Sequence, residues 1–290
     1  MPMVFPVVVD RVVRVTPSMV RITFGGVGLD GYATSGEPDE YCKVLFPHPG
    51  SRDVVIPPAD GEELPAGVEP APQRNYTIRR FDPDAREVDI DFVVHDGGIA
   101  ATWAQQAAPG DHAALTVASG RFEMPPAGHR LVLVGDATAL PAIGRIVESM
   151  EPGRHALVVG VVAAAEEEQV FRTAGEVEYR WVHVPLSGVG EALRSAVEGL
   201  PLPDGQVFVW MAGESEAQRA VRKHLRHVVK LPSGSYSTMG YWRFAREEWE
   251  ERYEQVKAEI VPTIEKADKE IADDEEFFDA LDEIYDKVGL

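Results

Sequence analysis

Leu133-Val134-Gly135-Asp136-Ala137-Thr138-Ala139-Leu140-Pro141-Ala142-Ile143 is the stretch on which the architecture turns. The apolar run from Arg130 to Gly135 reads as a buried strand. Thr138 stands where a helix wants an N-cap, and Pro141 suits a first helical turn, where its missing N–H has no partner to lose. The helix is expected to run to about Met150. A strand passing through a short turn into a helix is the unit of a parallel α/β sheet. In the turn, backbone amides and the helix dipole favour a phosphate, with Asp136 ordering the turn rather than touching the anion. Downstream, Leu157 to Val162, Val177 to Val184 and Val207 to Ala212 read as further strands, and Glu216 to Val229 as a helix. No Gly-x-Gly-x-x-Gly fingerprint accompanies them.

Upstream the rhythm is different. Val4 to Thr16, Val20 to Gly25, Tyr41 to Phe46, Asn75 to Phe81 and Val88 to His95 are short, β-branched and separated by turn residues, a pattern that predicts a sandwich or barrel. In the last of them Val88, Ile90 and Phe92 alternate with Glu87, Asp89 and Asp91, which places the acids on the outer face. Pro47 to Pro72, dense in proline, glycine and acid, reads as a long mobile or functional loop. Ala100 to Ala108 reads as a short helix.

Within the strand from Asn75, the run Arg74-Asn75-Tyr76-Thr77-Ile78-Arg79 carries a cation, an aromatic ring and a hydroxyl at i, i+2 and i+3. In an extended segment such a set suits a flavin. The arginine can hold a pyrophosphate, the tyrosine can pack on the isoalloxazine and the threonine can reach its polar edge. A plain strand with a polar face has the same composition.

The chain has 290 residues, 44% of them hydrophobic and 26% charged, ordinary values for a soluble protein of two domains. Its net charge of −20 argues against nucleic-acid binding, which needs a basic face. Residues 246–290 hold 17 acidic and 6 basic side chains, so −11 of that charge is local. The single Cys42 excludes an intrachain disulfide and an all-cysteine iron–sulfur site. With no signal peptide or membrane-spanning run in view, a cytoplasmic setting and a monomer without membrane contact are expected. The eight histidines show no metal-ligand spacing, and no protein metal site is expected.

After Arg246 the chain turns to charged helix formers. Trp249, Tyr253 and Val256 form a narrow apolar stripe, Pro262 is expected to interrupt the helix, and a third helix from about Asp273 carries Phe277, Phe278, Leu281, Ile284, Tyr285 and Val288. The tail either packs this stripe on the body or covers a site.

Four blocks in order resemble the siderophore-interacting proteins, flavin-dependent ferric-siderophore reductases of the ferredoxin-reductase superfamily. They are the Arg74 hexapeptide, Asp91 to Trp103, Gly135 to Ala142 and Gly240-Tyr241-Trp242-Arg243. The resemblance implies an N-terminal antiparallel Greek-key FAD-binding barrel (1–126). A parallel-sheet α/β domain for NADH or NADPH (127–245) and an acidic helical extension (246–290) would follow. It implies FAD contacts from Arg74, Tyr76, Thr77, Ile78, Arg79, Asp91, Val93, His95, Ala100, Ala101, Thr102 and Trp103. Asp96 and Ala101 depart from the family pattern, which has glycine and serine there. The nicotinamide would meet Asp136, Ala137, Thr138, Ala139, Gly213, Glu214 and Trp242. Lys43, Arg243 and Arg246 would line a basic pocket for a ferric siderophore.

The implied reaction moves electrons from the nicotinamide through the flavin to iron(III), with no acid–base catalytic residue. A ferredoxin is an alternative donor. Glu166, Glu167 and Glu168 would repel an adenosine 2′-phosphate and tilt the choice to NADH. Two other readings stay open, a general NAD(P)H-flavin or ferredoxin-type reductase and a non-enzymatic siderophore-binding flavoprotein.

Overall fold

Thirteen residues, Val4–Thr16, make β1, and Met19–Gly25 turns back on it as β2. The computed structural model describes residues 3–58, 64–95, 97–202 and 206–290. Asp96, singled out above, lies outside the described residues. Tyr41–Leu45 (β3), Gln73–Asp82 (β4), Glu87–Val93 (β5) and His112–Thr116 (β6) complete a closed antiparallel barrel in the order β1-β2-β5-β4-β3-β6, a Greek key. Alternate residues of each strand fill the interior, among them Phe5, Ile22, Phe24, Val44, Phe46, Ile78, Ile90, Phe92 and Leu115. The helix Ile99–Gln106 (α1) closes one mouth, with Trp103 stacked on Phe24 at a ring separation of 6.1 Å.

Cys42 belongs to this interior and burial pushes its thiol pKa up to about 12. A thiolate is the reactive form, so iodoacetamide at pH 7.5 is expected to leave the native protein unmodified and to label it once denaturant is added. Labelling of the native protein within minutes would contradict the packing.

The long excursion after β3 is not free along its length. Val54 and Ile56 pack on Leu45, Ala71 and Ala114, and Ala71 N–H donates to the Val55 carbonyl at 3.0 Å.

The second half is a five-stranded parallel sheet in the order β11-β10-β7-β8-β9, formed by Arg130–Asp136 (β7), His155–Val162 (β8), Glu176–His183 (β9), Val207–Glu214 (β10) and Tyr236–Trp242 (β11). Leu140–Glu148 (α2) covers one face through Leu140, Ile143, Ile146 and Val147. Val189–Glu198 (α3) and Ser215–Lys223 (α4) cover the other through Leu193, Val197, Ala217 and Val221. After α4 the chain widens into a π-helical turn, His224–Val229. Thr138 does not cap α2. The residue before the helix is Ala139, and the Thr138 hydroxyl donates back to Asp136.

Barrel and sheet are locked by buried polar contacts. Arg145 on α2 donates to the Ile78 carbonyl at 2.7 Å and to Glu40 Oε1 at 2.9 Å. Arg79 on β4 forms a two-bond pair with Glu148 of α2 at 2.6 and 2.8 Å and lies 3.9 Å from Asp91. Asp91 is in turn bonded to Arg21, and Asp89 accepts from the Thr23 hydroxyl. These acids lie on the face opposite Val88, Ile90 and Phe92 and are buried there, because neighbouring strands supply cations and hydroxyls to them. Glu167 is likewise drawn under the barrel, bonded to the Thr16 hydroxyl and the Ser18 amide.

The tail is two helices, not three. Arg246–Glu270 (α5) runs through Pro262, and Asp274–Val288 (α6) folds back on it. A proline deletes one backbone bond and crowds one carbonyl, and the long flanks of strong helix formers carry the helix across it. The stripe packs within the tail, Trp249 against Tyr253 and Tyr285, and meets the body through arginines, Arg219 over Tyr285, Arg222 over Phe278 and Arg243 over Trp249. Arg222, buried in α4, binds Glu275, Asp279 and Asp282 of α6 at 3.1, 2.7 and 2.7 Å. Arg219, Lys223 and Arg226 add bonds to Asp282, Asp286 and Asp279.

Burial would raise the Asp279 carboxyl, but the bonds from Arg222, His227 and Arg226 hold it below its ordinary value. Lys223 does the same for Asp286. A carboxylate depressed in the fold stabilises it above its unfolded pKa and loses that contribution as pH falls through the folded value. Amide protection across 274–288, corrected for intrinsic exchange, is therefore expected to fall below about pH 4, before that of the sheet. Undiminished protection at pH 3 would show that apolar contacts alone hold α6.

Candidate functional site

The C-terminal ends of β7, β10 and β11 meet the outer face of β4, and Asp136 is the knot between them. Its Oδ1 accepts from the Thr138 amide at 2.9 Å and the Thr138 hydroxyl at 2.6 Å. Its Oδ2 accepts from the Glu214 amide at 3.0 Å and Trp242 Nε1 at 2.7 Å. Burial raises the carboxyl above its usual range against the pull of these donors. Gly213 makes the approach feasible. It sits at φ +150°, and a Cβ there would lie 2.5 Å from Asp136 Oδ2.

Glu214 accepts from the Glu216 and Ala217 amides and so caps α4, and it also takes the Phe244 amide. Its side chain is thus occupied by its own backbone surroundings.

Across the seam, Thr77 on β4 is buried and faces Tyr241 of β11. The Tyr241 hydroxyl is buried with no hydrogen-bond partner among the described residues, Thr77 lying close to it but outside bonding geometry. Burial raises this phenol, and Asp39, Asp136 and Tyr41 add to the effect. Three of the blocks picked out in the sequence thus converge on one place. Tyr76 points the other way, its ring 4.3 Å from Phe92 and 6.3 Å from Phe46, against the cluster that holds Trp103.

Arg74, at the open end of β4, donates only to the Gln73 carbonyl among the described residues. Burial and then the charge of Arg246 lower its pKa, with Glu250 opposing the shift through space. Gly97 and Gly98 lead into α1 with φ of +84° and +79°, and the N-cap residue, Gly98, brings no capping side chain. The His95 carbonyl accepts from Gln105. Ala100 and Ala101 are buried, while Thr102 is exposed at the first turn.

Several expected contacts are spent elsewhere. Arg79 and Asp91 pair with each other and with Glu148 and Arg21. Ile78 is barrel core and Val93 packs toward the sheet. The supposed basic pocket is not one group. Lys43 projects outward from the barrel, Arg246 bonds Glu250, and Arg243 turns to the tail, its guanidinium 4.4 Å over the Trp249 ring.

An FAD fits the seam on three observations, the orphaned Tyr241 hydroxyl, the unpaired Arg74 and the uncapped glycine entry to α1. The comparisons agree. Residues 8–122 match the siderophore-interacting FAD-binding domain, and residues 128–245 match the siderophore-interacting protein model. The chain belongs to the siderophore-interacting protein family.

Among members and relatives, it is 27% identical over 250 residues to the ferric vibriobactin reductase of Vibrio cholerae, covering 84% of this chain and 92% of that one. It is 30% identical over 214 residues to the NADPH-dependent ferric-chelate reductase of Escherichia coli, covering 71% and 80%. The crystal structure of a siderophore utilization protein from T. fusca superposes with a TM-score of 0.72 at 32% identity, over 83% of this chain and 93% of the other. The family model stops at residue 245, so the tail is an addition to it.

Arg145 and Glu40 carry no motif in the sequence, and Glu167 reads there as an acid facing a 2′-phosphate rather than as a buried partner of Thr16. The one available signal was a charge in the middle of the otherwise apolar Ile143 to Val147.

Proposed function

We propose that this protein is an FAD-dependent ferric-siderophore reductase that takes electrons from NADPH or NADH and releases iron(II) in the cytoplasm. The observation that carries the reading is the seam where Thr77, Tyr241 and Asp136 converge beside an unpaired Arg74. FAD, when bound, supplies the exchange between a two-electron hydride donor and the one-electron acceptor iron(III). Arg74 and the amides entering α1 hold the diphosphate, and the hydroxyls of Thr77 and Tyr241 orient the polar edge of the ring. Asp136 fixes Trp242 and the β7 turn so that the nicotinamide meets a rigid wall. No side chain needs to move a proton in this scheme. The argument for NADH shrinks to Glu166, since Glu167 is buried under the barrel and Glu168 pairs with His183. The named cofactor of the Escherichia coli relative makes NADPH the donor to try first.

The test is anaerobic. Protein with bound flavin should bleach with NADPH or NADH and recover its colour when a ferric siderophore is added, as a ferrous trap develops. Bleaching only by a reduced ferredoxin would move the donor, and bleaching without any response to ferric chelates would favour the general flavin reductase. Flavin that no donor reduces would leave a siderophore-binding flavoprotein, and failure to take up FAD would end the proposal.

A further inference from the structure

β9 stands at one end of the parallel sheet, paired only with β8 among the described residues, and it is the one strand of the sheet with no buried residue. The crossover leading to it, residues 163–175, holds a short 3₁₀ turn, Ala165–Glu167, where a helix would normally cover the neighbouring face. The strand runs in unbroken register with β8 and has no proline, lysine or bulge, the common guards of an open edge. Such an edge is a template for one more strand.

The backbone and the charges together say which strand fits. The Glu176 amide donates to the Arg154 carbonyl at 2.9 Å and the Val184 amide to the Val162 carbonyl at 3.0 Å, so the even-numbered residues of β9 bond β8. Val177, Tyr179, Trp181 and His183 therefore turn both N–H and C=O to the open edge, where they meet no backbone partner among the described residues. An antiparallel copy of β9 can bond there only with odd residues opposite odd ones. Among those registers, the one centred on Tyr179 sets Glu178 of each copy opposite Arg180 of the other. Centring on Glu178 or on Arg180 puts two like charges together on the axis, and centring on Val177 sets Glu176 against Glu178. Centring on Trp181 leaves Arg180 opposite Val182. One register alone is thus complementary in both backbone and charge.

In that register the Glu178–Arg180 pairs occupy the non-hydrogen-bonded positions, where facing side chains approach most closely. Within the chain the two bond each other at 2.7 Å as a half-exposed surface pair, a weak contact that costs little to exchange. On the other face Tyr179 meets its own copy and Val177 meets Trp181, extending the stacked Tyr179–Trp181 rings, 6.2 Å apart, across the axis.

We infer that β9 pairs with β9 of a second copy of this chain, antiparallel about a two-fold axis at Tyr179, joining the two sheets into one. Antiparallel pairing turns the C-terminal strand ends of the two copies in opposite directions, so the seams at β7, β10 and β11 lie at opposite edges of the joined sheet. The dimer replaces the monomer expected from the sequence and is independent of the reductase reading.

Sedimentation velocity of the full chain at 0.15 M salt, which screens the repulsion between two copies of net charge −20, is expected to show the dimer at about 100 µM chain. Arg180→Glu and Glu178→Arg each set like charges opposite one another on both sides of the axis, and each should weaken the dimer about 10-fold. Mixed together, the two variants should pair with each other as well as wild type does, because each supplies the charge the other lacks. The mixture restores no bond within either chain, so its recovery reports contact between copies. Arg52→Glu, an equal change of net charge on the exposed surface of the barrel, should leave the dimer unchanged. If one variant does not fold, the weakening in the other decides. A monomer at that concentration, a dimer indifferent to both reversals, or a mixture that stays monomeric would overturn the inference.

Discussion

Arg145→Ala is expected to lower the unfolding free energy by about 4 kcal/mol and the melting temperature by roughly 10 °C. The side chain leaves α2 and bridges two buried acceptors on the barrel side, the Ile78 carbonyl and Glu40 Oε1. Glu40 is fully buried. Its other oxygen already takes the Ser35 amide and hydroxyl and the Gly36 amide, so it can neither turn to water nor find a second cation. Removing the arginine strands a charge in the seam, and that penalty far exceeds the worth of a surface pair.

Glu40→Gln tests the same contact from the other side. Its amide can keep an oxygen for the three donors only by presenting N–H groups to Arg145, so it too should lose stability. Double-mutant analysis with Glu40→Ala and Arg145→Ala should give a coupling of about 2 kcal/mol, since each partner's loss includes the other's desolvation. Denaturant melts at unchanged m-value are the measurement. A change under about 1 kcal/mol for Arg145→Ala would mean that water replaces the arginine, and the seam would then be looser than its geometry states.

Strands and their order of types were legible because β-branched runs and a strand–turn–helix unit are local signals. What covers each face was not. Alternation puts Asp89 and Asp91 on the side opposite Val88, Ile90 and Phe92 and says nothing about what lies on that side. Arg21 on the next strand and Arg79 turn that outer face into buried ion pairs. The same limit hid Glu167 in a run of three acids and placed the boundary of the tail helix at Pro262. The helix Val189–Glu198 left no clear trace, since Gly188 and Gly190 interrupt its start.

At the candidate site, short motifs located Thr77, Asp136 and Trp242, which the fold brings to one seam. They say nothing of where Arg243 turns. Its position next to Trp242 suggested a common pocket with Lys43, whereas a residue of the tail, Trp249, takes its guanidinium away. Local sequence reports which groups a segment carries, and the partner each one meets is a long-range fact.

Asp136→Ala should cost roughly 3–5 kcal/mol, because the amides of Thr138 and Glu214 and the indole N–H of Trp242 lose their acceptor together. Asp136→Asn should cost about half as much, since one oxygen can keep two donors while the new N–H₂ faces the other two. The functional consequence differs from that of Arg145→Ala. Arg145 holds the two halves together, so its loss should appear first as flavin released on dilution. Asp136 organises only the sheet side of the seam. Its alanine variant should keep the flavin spectrum yet slow reduction by the nicotinamide about 10- to 100-fold, the range expected when a reacting pair is misplaced by an ångström or so. Trp242→Phe, which removes one of the donors and keeps the ring, should fall between wild type and Asp136→Asn. Stopped-flow bleaching under saturating donor separates these cases. Equal loss of flavin in both alanine variants would mean that the seam behaves as one unit, and the assignment of Asp136 to the nicotinamide side would have to be given up.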